Sequence, residues 1–211
     1  PGVAIVGSRN VDSDGLLFTE ILARNCVNAG VNIISGGARG VDSIAENTSN
    51  NEDGTSLIFM ADSLEKKIRK KDTRNAIMRN ETLLMSTQRP DMTFKVYAAM
   101  DRNKYIYAMA DYVVTVSSDA DKGGTWAGAN ENLKHGWTPL FVRNSIDIPD
   151  GNKKLLQMKG VTPITIETIN NNDNVFKWLG ENAALLEKTT VRPQSKQISM
   201  VELNLISEQY D

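Results

Sequence analysis

The chain has 211 residues, 40% of them hydrophobic and 24% charged, which suits one well-buried α/β domain with at most a small appendage. A net charge of -2 provides no global field for polyanions, so any such binding must come from a local patch. The lone cysteine, Cys26, excludes a disulfide framework and a thiolate metal cluster, and no apolar run approaches bilayer length. No charged-then-apolar signal opens the chain, so the expectation is a cytoplasmic protein with no membrane partner. Pro1-Gly2 runs straight into an apolar stretch with no initiator methionine, which implies an excised piece of a longer chain.

Taken in order, Val3-Ala4-Ile5-Val6 predicts a buried strand that ends in Gly7-Ser8-Arg9-Asn10. Asp12 to Gly15 then lead into a helix over Leu16–Ala29, with Cys26 as a small core residue. Val31–Ser35 predicts the second strand. It ends in the most informative stretch of the chain, Ser35-Gly36-Gly37-Ala38-Arg39-Gly40-Val41-Asp42. A helix follows from Val41, with Ile44 and Ala45 on the same side, and is expected to stop in the polar loop 47–54.

Thr55–Ala61 predicts the third strand, and Asp62-Ser63 caps a basic helical segment that reaches Asn80. Thr82–Ser86 reads as a strand, residues 88–91 as a loop, and Val96–Ala110 as a helix. The strand Tyr112–Val116 leads through Ser117–Asp121 into Lys122-Gly123-Gly124-Thr125 and a helix to Lys134. Pro139–Arg143 is a strand, Pro149-Asp150-Gly151 a loop and Lys153–Met158 a short helix. Val161–Thr165 is the last strand, and Asp173–Gly180 is helical. The βαβα alternation implies one domain over residues 1–180, a parallel sheet with helices on both faces. Residues 181–211 form a tail, in which Val191–Ser195 is linker-like and Ile198–Ile206 an edge strand or partner-binding segment.

Three of the strands close in glycine-containing turns that open helices. Such turns aim backbone N–H groups and a positive helix end at one spot, where phosphate is the usual occupant. In an open parallel sheet they converge at the carboxyl ends of the strands. The candidate phosphate-binding residues are Gly7, Ser8 and Arg9; Ser35, Gly36, Gly37, Arg39 and Gly40; and Lys122, Gly123, Gly124 and Thr125. Arg102, Asn103 and Lys104, ahead of the fifth strand, join them. Asp42 would repel an anion and is expected to cap or orient its turn. Trp126 is the candidate base-stacking platform, while Trp137 and Trp178 read as packing residues. The basic run Lys66–Lys71, with Arg74 and Arg79, reads as either a solvated helix face or a DNA track. His135 ahead of Gly136 is explained by a helix C-cap, and without partners at ligand spacing it makes no metal site.

On these residues the chain resembles the DNA-processing protein A (DprA/Smf) family. The matches are Ala4-Ile5-Val6-Gly7-Ser8-Arg9, the 35–42 turn with Ala45, Arg102-Asn103-Lys104, Lys122-Gly123-Gly124-Thr125 with Ala127 and Ala129, and Asp150-Gly151-Asn152 with Leu155, Leu156 and Gly160. The chain departs from the family pattern at Lys104 (arginine), at Gly123-Gly124-Thr125 (Ser-Gly-Ser) and at Glu46 (histidine). The resemblance implies an extended Rossmann-like core and a homodimer that binds single-stranded DNA without strong sequence preference. It also implies a non-catalytic role in DNA uptake, transformation and recombination, with the RecA recombinase as partner and no cofactor. Trp137, Leu140 and Ile148 are the expected exposed apolar positions for the dimer.

A dehydrogenase is excluded, because Gly7-Ser8-Arg9-Asn10-Val11-Asp12 stands where Gly-x-Gly-x-x-Gly is required. The alternative is a small-nucleotide sensor, or a relative of the Lonely Guy phosphoribohydrolases, which Arg102 and Gly123-Gly124-Thr125 partly resemble. Gly128 stands where those enzymes carry a glutamate, and Glu131 lies about one helical turn beyond.

Overall fold

A computed structural model of the protein describes residues 1–187, the last four of them by backbone alone. Seven strands form its sheet: β1 (Gly2–Gly7), β2 (Asn32–Ser35), β3 (Ser56–Phe59), β4 (Thr82–Met85), β5 (Tyr112–Ser117), β6 (Leu140–Arg143) and β7 (Val161–Ile164). Their order is β4-β3-β2-β1-β5-β6-β7, and every neighbouring pair is parallel. The chain builds outward from β1 to β4, returns to β5 on the other side of β1, and builds outward again. Strand order therefore reverses between β1 and β5, where an open parallel sheet leaves a crevice at its carboxyl ends.

Strand alternation sorts side chains into two cores. Val3, Ile5, Val114, Val116 and Phe141 face one way, and Ala4, Val6, Val113, Leu140 and Val142 the other. The first layer is covered by α1 (Ser13–Asn28), α2 (Val41–Asn51), α8 (Ile166–Asn170) and α9 (Val175–Glu187), through Phe18, Leu22, Val41, Ile169 and Leu179. The second is covered by α5 (Val96–Met109), α6 (Gly123–His135) and α7 (Asp150–Leu156), through Ile106, Tyr107, Ala129 and Leu155. Cys26 is fully buried, and burial pushes its thiol up to about 12, as a core role requires. Gly136 adopts a left-handed φ of 62° as the C-cap of α6, and His135 stacks on Trp137.

The structure differs from expectation in several elements. α2 continues through Asn47–Asn51, because Thr48 and Ser49 are buried on a helix that packs along α1. The basic segment breaks into α3 (Leu64–Ile68) and α4 (Lys71–Met78) at an extended Lys70. Ser63 ties the start of α3 to the Pro90 carbonyl, whereas α4 buries Ala76. Residues 150 and 151 are the first turn of α7 rather than a loop, and a side chain on Gly151 would collide with the Ser118 backbone. α8 was not anticipated; Thr165 caps it by accepting from the Thr168 amide at 3.1 Å. α9 runs past residue 180, and the expected tail beyond Glu187 lies outside the described residues. Leu140 and Ile148 are buried and offer no exposed apolar surface, while Trp137 is half-buried and stacked on His135.

Candidate nucleic-acid interface

β1 and β5 separate where the crevice begins. Val6 pairs with Thr115 but Gly7 pairs with Ser117, a bulge that skips Val116, and the Ser8 amide closes on the Ser117 carbonyl at 2.8 Å. Beyond it opens a crevice of about 460 Å³, in the range of small-molecule sites. Gly7, Ser8, Arg9 and Asn10 line one side, and Lys122, Gly123, Gly124 and Thr125 the other. Arg102 and Asn103 of α5 and Ala38 and Asp42 of the second turn form further walls.

The third turn is the most open to an anion. Lys122 is the exposed N-cap of α6 and provides no side-chain cap bond, so the first N–H groups of a 13-residue helix face the crevice. Gly123 holds φ at 83°, a conformation that side chains resist. The Asn103 side chain donates to the Gly124 carbonyl at 3.1 Å and fixes this turn to α5. On the opposite wall the Arg9 guanidinium lies 5.6 Å from the Phe94 ring centre.

The second turn is arranged differently. The Asp42 carboxylate accepts from the amides of Gly36 at 3.1 Å and Ala38 at 3.3 Å, and the Gly37 amide donates to Ser35 Oγ at 3.4 Å. An internal carboxylate thus takes up the donors that a phosphate would use. Arg102 Nη1 donates to the carbonyls of Gly36 and, at 2.7 Å, of Phe59, and its guanidinium leaves no room for a side chain at Gly36. Glu46 accepts from Ser35 Oγ, with Lys67 Nζ 3.6 Å away.

Burial pushes the Asp42 and Glu46 carboxyls up, opposed for Asp42 by Arg102 and the two amides, and for Glu46 by Lys67 and Ser35. Burial likewise pushes Arg102 down, opposed by those two carboxylates. Arg102 is therefore the internal counter-charge of turn two as well as part of the crevice wall.

Not every expected residue reaches the crevice. Arg39 is exposed and, like Gly36, Gly37 and Gly40, does not line the cavity. Ser35 is fully buried beneath it. Lys104 sits two residues past Arg102 in the interior of α5, about 200° round the helix, exposed and paired with Asp101 at 2.9 Å. Trp126 is half-buried, its large apolar ring packed against the second core layer rather than lining the crevice. The exposed ring at the crevice is Phe94, which sequence reasoning missed. Its only signal was an aromatic residue in a polar loop just before a helix. Asp119, also missed, brings a carboxylate to the crevice from the loop that leads into the third turn.

A parallel doubly wound sheet with a cationic, glycine-walled crevice at its switch point defines a Rossmann-like α/β protein. The chain belongs to the DNA recombination-mediator protein A family, whose model matches residues 1–173. Among solved structures it is similar to DNA processing protein A from Helicobacter pylori, whose single-stranded DNA binding mode has been described. Identity there is 27% and the TM-score 0.69, over 84% of this chain and 80% of that one. DNA processing protein A from Streptococcus pneumoniae shares the fold at 21% identity and a TM-score of 0.69. That likeness covers 82% of this chain but 61% of the pneumococcal one. The molybdenum cofactor carrier protein of Chlamydomonas reinhardtii shares the fold alone, at 15% identity and a TM-score of 0.57, over 86% of this chain and 98% of that one. No curated protein sequence matches the chain. Its coarse role is that of a DNA-processing and recombination mediator.

Proposed function

We propose that the protein binds single-stranded DNA through its phosphates in the switch-point crevice and acts without making or breaking a bond. The observation that carries this is the uncapped N-terminus of α6, flanked by Lys122 and faced by Arg9 across the crevice. A helix N-terminus and two cations meet there in the arrangement that phosphate sites use. Phe94 adds an exposed ring on which a base stacks regardless of its identity.

The phosphoribohydrolase alternative has support from Arg102 and the Gly123-Gly124-Thr125 turn, but α6 approaches α5 too closely for its acid. A Cβ at Gly128 would lie 3.0 Å from the Tyr107 ring and 3.3 Å from the Asn103 amide, so a glutamate there displaces both. Membership in the family supports the rest of the reading: a homodimer in the cytoplasm that places a RecA-class recombinase on DNA during uptake and recombination. No helix among the described residues is long and apolar enough to cross a membrane.

The test is fluorescence anisotropy of labelled oligonucleotides across a salt series. Arg9→Ala and Lys122→Ala are each expected to weaken binding equally for different sequences, and to flatten the logarithmic salt slope by about 0.7. Phe94→Ala is expected to weaken binding by about 1–3 kcal/mol with the slope unchanged. Absence of binding at low salt by the folded parent overturns the reading. Tight retention of a mononucleotide, seen by native mass spectrometry, would favour the sensor instead.

A further inference from the structure

The crevice leaves one strongly charged surface unexplained, the basic face of α3 and α4. Residues 64–74 carry Lys66, Lys67, Arg69, Lys70, Lys71 and Arg74 against Glu65 and Asp72, a local charge of +4 in a chain of net charge -2. All six cations except Lys67 are exposed. A merely solvated helix face spaces acids and bases so that they pair along it, and here that happens once, between Glu65 and Arg69 at 3.4 Å. Among the described residues, Lys66, Lys70, Lys71 and Arg74 make no ion pair.

The start of this face, α3, stands on the same rim as the crevice, and α4 runs from there back toward the amino end of β4. α3 follows the carboxyl end of β3, two strands from β1, which at about 4.8 Å per strand places it roughly 10–15 Å from the crevice mouth. Three contacts hold α3 there. Lys67 lies 3.6 Å from Glu46, whose carboxylate accepts from Ser35 under turn two. The Glu65 amide and Ser63 Oγ donate to the Pro90 carbonyl at 3.1 and 2.9 Å, and the loop that carries Pro90 goes on to Phe94 at the crevice wall. Turn two, with exposed Arg39, belongs to the strand between them.

Resting on the reading of the crevice as a DNA site, we propose that the DNA path continues from the crevice over Arg39 onto the basic face of α3–α4. The ligand is then a polynucleotide that spans both surfaces, and not a nucleotide held by the crevice alone. Charge complementarity selects a polyanion, and continuity with the crevice selects the same strand.

The experiment compares the parent, the triple variant Lys66→Ala/Lys70→Ala/Lys71→Ala and Lys122→Ala, using single-stranded oligonucleotides of about 5 and about 20 nucleotides in a salt series. Lys67 is left intact because it holds Glu46. The triple variant is expected to bind the short oligonucleotide as the parent does. Its affinity for the long one falls, with a salt slope shallower by about 2, the loss of three single-strand phosphate contacts. Lys122→Ala weakens both lengths. Arg74→Gln, on the next turn of α4, gives a smaller loss confined to the long oligonucleotide. Equal long-strand affinity and slope in parent and triple variant overturns the extended path and leaves the face to an acidic protein partner. If the parent binds neither length, the crevice reading itself has failed. All three lysines are exposed, so an unchanged thermal melt checks that the triple variant is folded.

Discussion

Among the described residues Arg143 is the largest fully buried side chain, and each of its three guanidinium nitrogens has an acceptor. Nε donates to the Val116 carbonyl at 2.9 Å, while Nη1 and Nη2 reach the two oxygens of Asp12 at 3.0 and 2.6 Å. Asp12 also caps α1 by accepting from the Gly15 amide at 2.7 Å, so one carboxylate joins a helix start to the far end of β6. Burial pushes the Asp12 carboxyl up, but the bonds from Arg143 and Gly15 outweigh it and leave it below its ordinary 3.8. A lowered carboxylate contributes stability that is present above the unfolded-state value and is lost as pH falls through the folded-state value. Asp12→Asn is expected to cost about 2–3 kcal/mol near neutral pH. That is less than a fully enclosed pair would lose, because the Asp12 side chain is 39% exposed. Urea unfolding at a series of pH values checks this: the gap between parent and variant narrows below about pH 4.

Turns, more than helices, decide this site, and Gly40 shows why. It holds φ at 82°, and a side chain there would collide with the carbonyl of Ser8 and lie 2.7 Å from that of Arg9. The first and second turns are therefore in backbone contact, and the Val41 amide reaches the Ser8 carbonyl at 3.4 Å. Gly40→Ala combines a strained φ with overpacking and is expected to cost about 2–4 kcal/mol, measured by thermal or urea unfolding. Gly30→Ala is the comparison: its φ is 70° but nothing lies within 4 Å, so only the conformational cost remains and the loss is about half as large. The difference between the two reports the contact between turns rather than glycine chemistry in general.

At the scale of the molecule, several exposed apolar side chains lie on the α5 side of the sheet. Leu83 is 59% exposed on β4 and Met109 53% exposed on α5, with Tyr105 stacked on Phe59 at 5.9 Å between sheet and helix. This is where a second copy would dock if the protein is the homodimer proposed above. Leu83→Asp/Met109→Asp is expected to shift a dimer to monomer in light scattering at tens of micromolar, on the order of a weak interface's dissociation constant. A parent that is already monomeric there contradicts the dimer.

Local pattern alone determined the parallel sheet and the glycine turns at the carboxyl ends of its strands. Buried strands read as continuous β-branched runs, and a strand-to-helix turn carries its own signature in glycine and hydroxyl residues. The role of Asp42 as an orienting group was also legible, since a carboxylate four to six residues past turn amides has no use for an external anion. What lines the crevice was decided only by tertiary structure. Arg102 and Lys104 look equivalent in sequence, yet helix rotation sends one to the wall and the other to solvent. Trp126 looked like a platform until packing drew it inward, and Phe94 looked ordinary until the loop delivered it beneath Arg9. Side-chain chemistry is written at each position, but which side chains share one volume depends on elements separated by scores of residues. Only the packed sheet brings those together.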